Sequence, residues 1–316
     1  MKAVLVALAL LATSLPAQTG ALSAQLKQLA FAGEAQAARD MAERARGNYR
    51  PDHPGLLEAL SWVGRAGVLG ENWEIAEAYG TEVYEQASQL AAEHGVDASA
   101  QLSTALGAAI EVLGKTYDAA GDRARAAHFL HEERDKYRGT SIETRIQKNY
   151  LLISIEGKPM PPLAADRFIG EPIPIETKGK VAVFYFWAHW CADCKAQKPA
   201  LIELHERYAD QGLAIIGPTH LFGYAAGGRP ATEDEEIAYI EGPWQKLYGL
   251  PDWMPKPLGQ ENWGAFGVST TPTIVIADRA GIVRLYHPGK MTFEELEAAV
   301  QPLLDGGSVG ASSSAR

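Results

Sequence analysis

Two cysteines, Cys191 and Cys194, are the only ones in 316 residues, and they stand three positions apart. They follow an unbroken apolar run, Val181–Trp187, and a break at Ala188–Trp190, and they open an amphipathic stretch. An apolar run of this kind suits a strand buried on both faces of a sheet. The pair therefore falls in the first turn of a helix. There a thiolate meets unpaired backbone N–H groups and the positive end of the helix dipole, both of which lower its pKa. A second thiol three residues on is close enough to attack a mixed disulfide formed by the first. The chemistry expected is thiol–disulfide exchange, with Cys191 as nucleophile, Cys194 as resolver, and a redox-active disulfide between them. The plainer alternative is a structural bridge, but so short a loop constrains the unfolded chain very little.

The elements that must position this pair can be read around it. Gly179 and Lys180 introduce the strand, and the helix after Cys194 continues to about Asp210 with Leu201, Leu204 and Tyr208 on one face. Pro199 falls inside that helix and should bend it. Leu213–Gly217 is the next apolar strand, and strand, helix, strand at these lengths implies a parallel pair. Thr232 and Glu235 form a capping box ahead of Ile237, Ile240, Trp244 and Leu247. The acidic run Glu233–Glu236 then reads as a solvated first turn and not as a metal site. Pro251–Pro257 reads as an irregular loop, in which Trp253 either packs or serves as a lid. Further on come Thr271-Pro272-Thr273, a strand Ile274–Ala277, a turn Asp278–Gly281 and an antiparallel return Ile282–Tyr286. Thr292 and Glu295 cap a last helix, and Gly306–Arg316, small and polar, is expected to be a disordered tail.

Upstream the pattern is different. From 22 to 152 the chain is helical throughout, with stretches Glu34–Arg46, Leu56–Val68, Trp73–His94, Ala98–Ala119 and Ala124–Tyr137 separated by short breaks. Ile110–Leu130 resembles a tetratricopeptide unit. Gly114 and Ala126 would let two helices approach closely, with Tyr117 filling the groove. The spacing from Gly64 to Gly114 is not the regular period of such arrays, so an irregular tetratricopeptide-like domain is expected. It would serve either as a surface for a protein partner or as a cap on the second domain. Gly157–Pro174, rich in proline, reads as an extended linker into a domain of residues 157–305.

At the N-terminus, Lys2, the apolar run Ala3–Ala12 and Thr13–Ala17 have the form of a secretory signal peptide, residues 1–17, with cleavage after Ala17 or Ala21. The run is too short to span a bilayer, and no later segment reaches spanning length. The mature protein is expected to be exported, periplasmic or otherwise extracytoplasmic. A net charge of −10 argues against nucleic acid as a partner. No metal ligand set is evident at suitable spacing, and no cofactor is implied.

Taken together, Trp190-Cys191-x-x-Cys194, Pro199 eight residues after the first cysteine, and the Gly267-Val268-x-x-x-Pro272-Thr273 run resemble the thioredoxin fold. In particular they resemble the TlpA-like exported thiol–disulfide oxidoreductases. The resemblance covers about half the chain and implies an α/β thioredoxin-like domain following the all-α region. It also implies that Pro272 is cis beside the cysteines, and that Thr271 offers backbone groups to an extended client. Two departures stand out. Tyr185 occupies the position of the buried aspartate of classical thioredoxins. Gln197 occupies the position where TlpA-like proteins often carry glutamate. His189 and Asp193 are the nearest titratable substitutes. Asp193 should oppose ionisation of Cys191, and Lys195 and Lys198 should favour it if they turn towards the sulfur.

Trp187, Trp190, Trp244, Trp253 and Trp263 are candidates for a groove around the pair. The function implied is an exported protein-disulfide reductase acting on client protein disulfides and reset by an upstream electron donor. The alternatives are a non-enzymatic scaffold and a peroxidase of the peroxiredoxin class. For the latter, Phe184 and Ala188 stand where a Pro-x-x-x-Thr-x-x-Cys pattern requires proline and threonine.

Overall fold

In the computed structural model the described residues are 15–306, and the chain divides into two units, Met1–Glu143 and Thr144–Arg316. The apolar run of the expected signal peptide, and all of the expected tail but Gly306, lie outside the described residues. Both expected cleavage positions, Ala17 and Ala21, lie in the first helix.

The first unit is built from α1 (Leu15–Phe31), α2 (Ala35–Arg46), α3 (Pro54–Leu69), α4 (Trp73–His94), α5 (Ala100–Ala119) and α6 (Arg123–Lys136). Most of these helices begin where a side chain satisfies an otherwise unpaired N–H. Asn72 accepts from Ile75, Ser99 from Leu102, Asp122 from Arg125, and the His53 ring from Gly55. Leu57, Leu60, Val63, Leu106 and Ile110 are fully or almost fully buried between them. Small residues let the helices close up. A Cβ on Gly67 of α3 would lie 2.5 Å from the backbone nitrogen of Ala76 in α4, and one on Gly114 of α5 would lie 2.9 Å from the Leu130 side chain of α6. Tyr117 packs edge-on against Phe129, with ring centres 5.5 Å apart.

The second unit contains α7 (Glu143–Ser154), β1 (Val181–Phe186), α8 (Ala192–Tyr208), β2 (Leu213–Ile216), α9 (Glu233–Tyr239), α10 (Gln245–Tyr248), α11 (Gln260–Phe266), β3 (Thr273–Ala277), β4 (Val283–Pro288) and α12 (Phe293–Leu304). The sheet order is β2-β1-β3-β4, with β1 and β2 parallel and the other neighbours antiparallel. All six residues of β1 are buried, and they alternate between two cores. Val181, Val183 and Tyr185 pack with Leu201 and Leu204 of α8 and with Leu296 and Val300 of α12. Ala182, Phe184 and Phe186 pack with Leu151 of α7, Ile155, and Trp263 and Phe266 of α11. The result is a sheet with helices on both faces.

Three sequence expectations change here. The break between units falls at Glu143/Thr144 and not near 152, because Leu151 and Ile155 complete the second core instead of the helical one. Gly157–Pro174 is not a free linker. Met160 donates to Gly281 O, Ile169 to Lys256 O, and Asn262 clamps both backbone groups of Ala164. The helical stretch at 233–248 is interrupted by a π turn, Ile240–Trp244, that holds Pro243, and this leaves Leu247 exposed.

Candidate functional site

β1 ends at Phe186, and the chain turns through Trp187, Ala188, His189 and Trp190 into α8. Cys191 is the N-cap of that helix, and its sulfur accepts the Cys194 N–H at 3.1 Å. The turn is held from several sides. Trp187 donates its indole N–H to Gly217 O and stacks on Trp244, with ring centres 4.9 Å apart. Trp244 in turn donates to the His189 carbonyl at 2.7 Å, and Cys191 N–H donates to Ala188 O. Thus the backbone that aims Cys191 is fixed by two buried indoles.

Both cysteines are unbridged and buried. The Cys191 thiol lies 3.4 Å from the Thr271 carbonyl, and the Thr271–Pro272 bond is cis. The Cys191 thiol is shifted down to about 6. The hydrogen bond from the Cys194 thiol is the largest cause, and Thr271 and the Cys194 backbone N–H act the same way; burial and the Asp193 charge oppose it. Cys194 moves the other way, pushed well above the thiol range by burial and then by its bond to Cys191. The two sulfurs thus differ sharply: one is ready to ionise, while the other keeps its proton.

The two positions that depart from the thioredoxin pattern are both structural here. Tyr185 donates its hydroxyl to the Cys194 carbonyl at 2.7 Å, and burial raises the phenol well above its ordinary range, so that it remains a donor. Gln197, 1% exposed, accepts from Met291 N–H at 2.7 Å and donates to Met291 O at 2.9 Å. It thereby ties α8 to the segment that leads into α12.

The remaining sequence candidates divide. Trp190 is 49% exposed beside Cys191, with its ring edge-on to Phe222 at 5.6 Å. Asp193 points outward and pairs with Lys290 at 3.1 Å. Lys195 and Lys198 do not turn towards the sulfur: one ammonium sits 4.2 Å over the Tyr248 ring, and the other donates to Gly249 O. Trp253 is no lid, because it stacks on His205 of α8 with ring centres 3.6 Å apart. Trp263 packs against Phe186 from the other side of the sheet.

His189 is buried, 3% exposed, and its Nε2 lies 3.1 Å from Glu236. Burial holds its imidazole below the ordinary range. Glu236, read from the sequence as part of a solvated acidic turn, is fully buried. Helical spacing did not single it out: Glu233, seven residues before Ile240 and eleven before Trp244, lies on the same face and stays exposed. The peroxidase alternative finds no support at its two diagnostic positions. Phe184 is sealed in the sheet core, and Ala188 carries no hydroxyl.

Residues 157–219 match the model of the AhpC/TSA family. Over 148 residues the chain is 27% identical to the thiol-disulfide oxidoreductase ResA of Bacillus anthracis, covering 46% of this chain and 78% of that protein. It is 28% identical over 144 residues to the thioredoxin-like protein YneN of Bacillus subtilis, covering 45% and 76%. Among solved structures, StoA from Bacillus subtilis is 21% identical and covers 44% of this chain and 97% of its own, with a TM-score of 0.35. No helix among the described residues is long and apolar enough to cross a membrane.

Proposed function

The C-terminal half is a thioredoxin-like domain of the thiol–disulfide oxidoreductase family, and on that premise we propose that this chain is an exported protein-disulfide reductase. Cys191 attacks a client disulfide as the thiolate. The client S–S bond breaks, a Cys191–client bond forms, and the first client sulfur leaves and takes a proton from solvent. Cys194 then loses its proton and attacks Cys191, which expels the second client sulfur and closes the Cys191–Cys194 disulfide. Two electrons pass to the client, and an upstream dithiol donor returns them to the pair. Pro272 and Thr271 border the attacking sulfur, and the Thr271 backbone is the natural partner for an extended client strand.

The observation that carries this reading is the unequal pair: Cys191 sits at a helix N-cap with its thiol down to about 6, beside a Cys194 that stays protonated. A thiolate of that acidity lies near thioredoxin's value of about 7 and far from the value of about 3.5 of a strong oxidant. A midpoint potential nearer −270 than −120 mV is therefore expected on equilibration with glutathione (range from about −270 to −120 mV). Reduction of insulin by the wild type and by Cys191→Ser tests the function. The variant should fall to the rate without protein, and equal rates would favour the non-enzymatic scaffold.

Export rests on the form of residues 1–17. Thr19 and Leu22 are buried in the first unit, so cleavage after Ala17, which keeps both, is favoured over cleavage after Ala21. The hairpin of α5 and α6, closed by Gly114 against Leu130, supports reading the first unit as tetratricopeptide-like, and a surface for a protein partner is the role proposed for it.

A further inference from the structure

The most heavily engineered polar contact near the cysteines touches neither sulfur. Glu236, on α9, and His189, two residues before Cys191, are both buried. Burying a carboxylate and an imidazole costs several kcal/mol unless every polar atom finds a partner. Here the partners are complete on the carboxylate. Its Oε1 accepts from His189 Nε2 at 3.1 Å and from Phe222 N–H at 2.8 Å, and its Oε2 accepts from Phe222 N–H at 3.0 Å and Gly223 N–H at 2.7 Å. An ionised carboxylate can only accept, so the Nε2 that faces it carries a proton. Gly223 has φ of +80°, a conformation that favours glycine, and it lets two successive amides converge on one side chain. Phe222, Tyr224 and Tyr239 then surround the imidazole edge-on at 5.6–5.9 Å.

The loop pinned in this way carries Phe222, whose ring meets the half-exposed Trp190 next to Cys191. We propose that His189 and Glu236 are positioning residues: their buried pair fixes the 220–224 loop against the turn that carries Cys191, so that Phe222 and Trp190 form one wall of the groove that receives a client protein disulfide. This rests on the oxidoreductase reading above. Neither side chain hydrogen-bonds a cysteine sulfur, so the pair acts on how a large client is held and not on the reactivity of the thiol. A small disulfide, which needs no wall, is indifferent to it.

The test uses the full chain with Glu236→Gln and, as a variant that leaves the pin intact and removes only the wall, Phe222→Ala. Gln places an amide N–H₂ where backbone N–H groups already point, so amide hydrogen exchange at Phe222 and Gly223 should quicken tenfold or more in Glu236→Gln while β1 stays protected. Both variants should raise the KM for insulin fivefold or more. The reduction rate of 5,5′-dithiobis(2-nitrobenzoate) and the pH profile of Cys191 alkylation should stay within twofold of wild type. Insulin KM within twofold of wild type for Phe222→Ala overturns the wall. Unchanged exchange in a folded Glu236→Gln, or a small-disulfide rate that falls together with the insulin rate, overturns the positioning role. If the wild type reduces neither disulfide, the oxidoreductase reading itself falls and takes the groove with it, whereas exchange still decides whether the pin exists.

Discussion

The two units bury different kinds of side chain. In the helical unit the interior is Leu, Ala, Val and Ile, and helices meet where glycine removes a side chain, as at Gly67 and Gly114. Among its buried polar groups, Ser61 and Thr116 bond to carbonyls of their own helices, while Ser23 donates to Glu58 and Glu133 accepts from Tyr84 on another helix. In the thioredoxin-like unit, buried polar side chains reach far along the sequence: Gln197 to Met291, His189 to Glu236, Asn262 to Ala164. A buried polar group adds little net stability even when paired, and it is expensive when its partner is lost. Such groups are therefore informative about what a fold holds in place. Here two of the three converge on the helix that carries the cysteines and the turn before it, whereas Ser23 and Glu133 of the helical unit join one helix to another.

That contrast can be broken by substitution. Gln197→Ala leaves both backbone groups of Met291 buried without partners, and about 2–4 kcal/mol of stability should be lost from the thioredoxin-like unit, read from its unfolding midpoint in urea. Gly67→Ala presses a methyl onto the α4 backbone and should cost the helical unit a smaller amount, about 1–3 kcal/mol, with no change in the Cys191 alkylation rate. If Gly67→Ala slowed Cys191 while Gln197→Ala left stability untouched, the division of roles drawn here would be reversed. The smallest effect belongs to Asp193→Asn. Asp193 raises the Cys191 thiol and is exposed and paired with Lys290, so its removal should lower the alkylation midpoint by less than about half a unit. An upward shift would contradict that sign.

How much was legible in the sequence follows the same division. The strand–turn–helix around Cys191, the parallel β1–β2 pair and the long helices upstream all rest on local periodicity and capping, which a single chain displays openly. What stayed hidden depended on partners far away. Glu236 carries the same residue type as its acidic neighbours, and only a histidine 47 positions earlier distinguishes it. Gln197 looked like a missing acid because its task, clamping a backbone 94 residues on, leaves no local trace. Prolines at 159–174 suggested a linker, whereas bonds to residues 256 and 281 make that segment part of the domain. The boundary was displaced for the same reason: the apolar face of α7 looks alike whichever core it joins.

The account stands on the acidity of one sulfur, and titrating its reactivity tests it most directly. In the reduced full chain, the iodoacetamide alkylation rate at Cys191 should rise with pH through a midpoint near 6 and then level off, because the thiolate is the reactive form and the folded protein holds the thiol below its ordinary range. Cys194 should stay unmodified across the same range. A Cys191 midpoint at or above the value for an unfolded peptide thiol, about 8.5, would contradict the account.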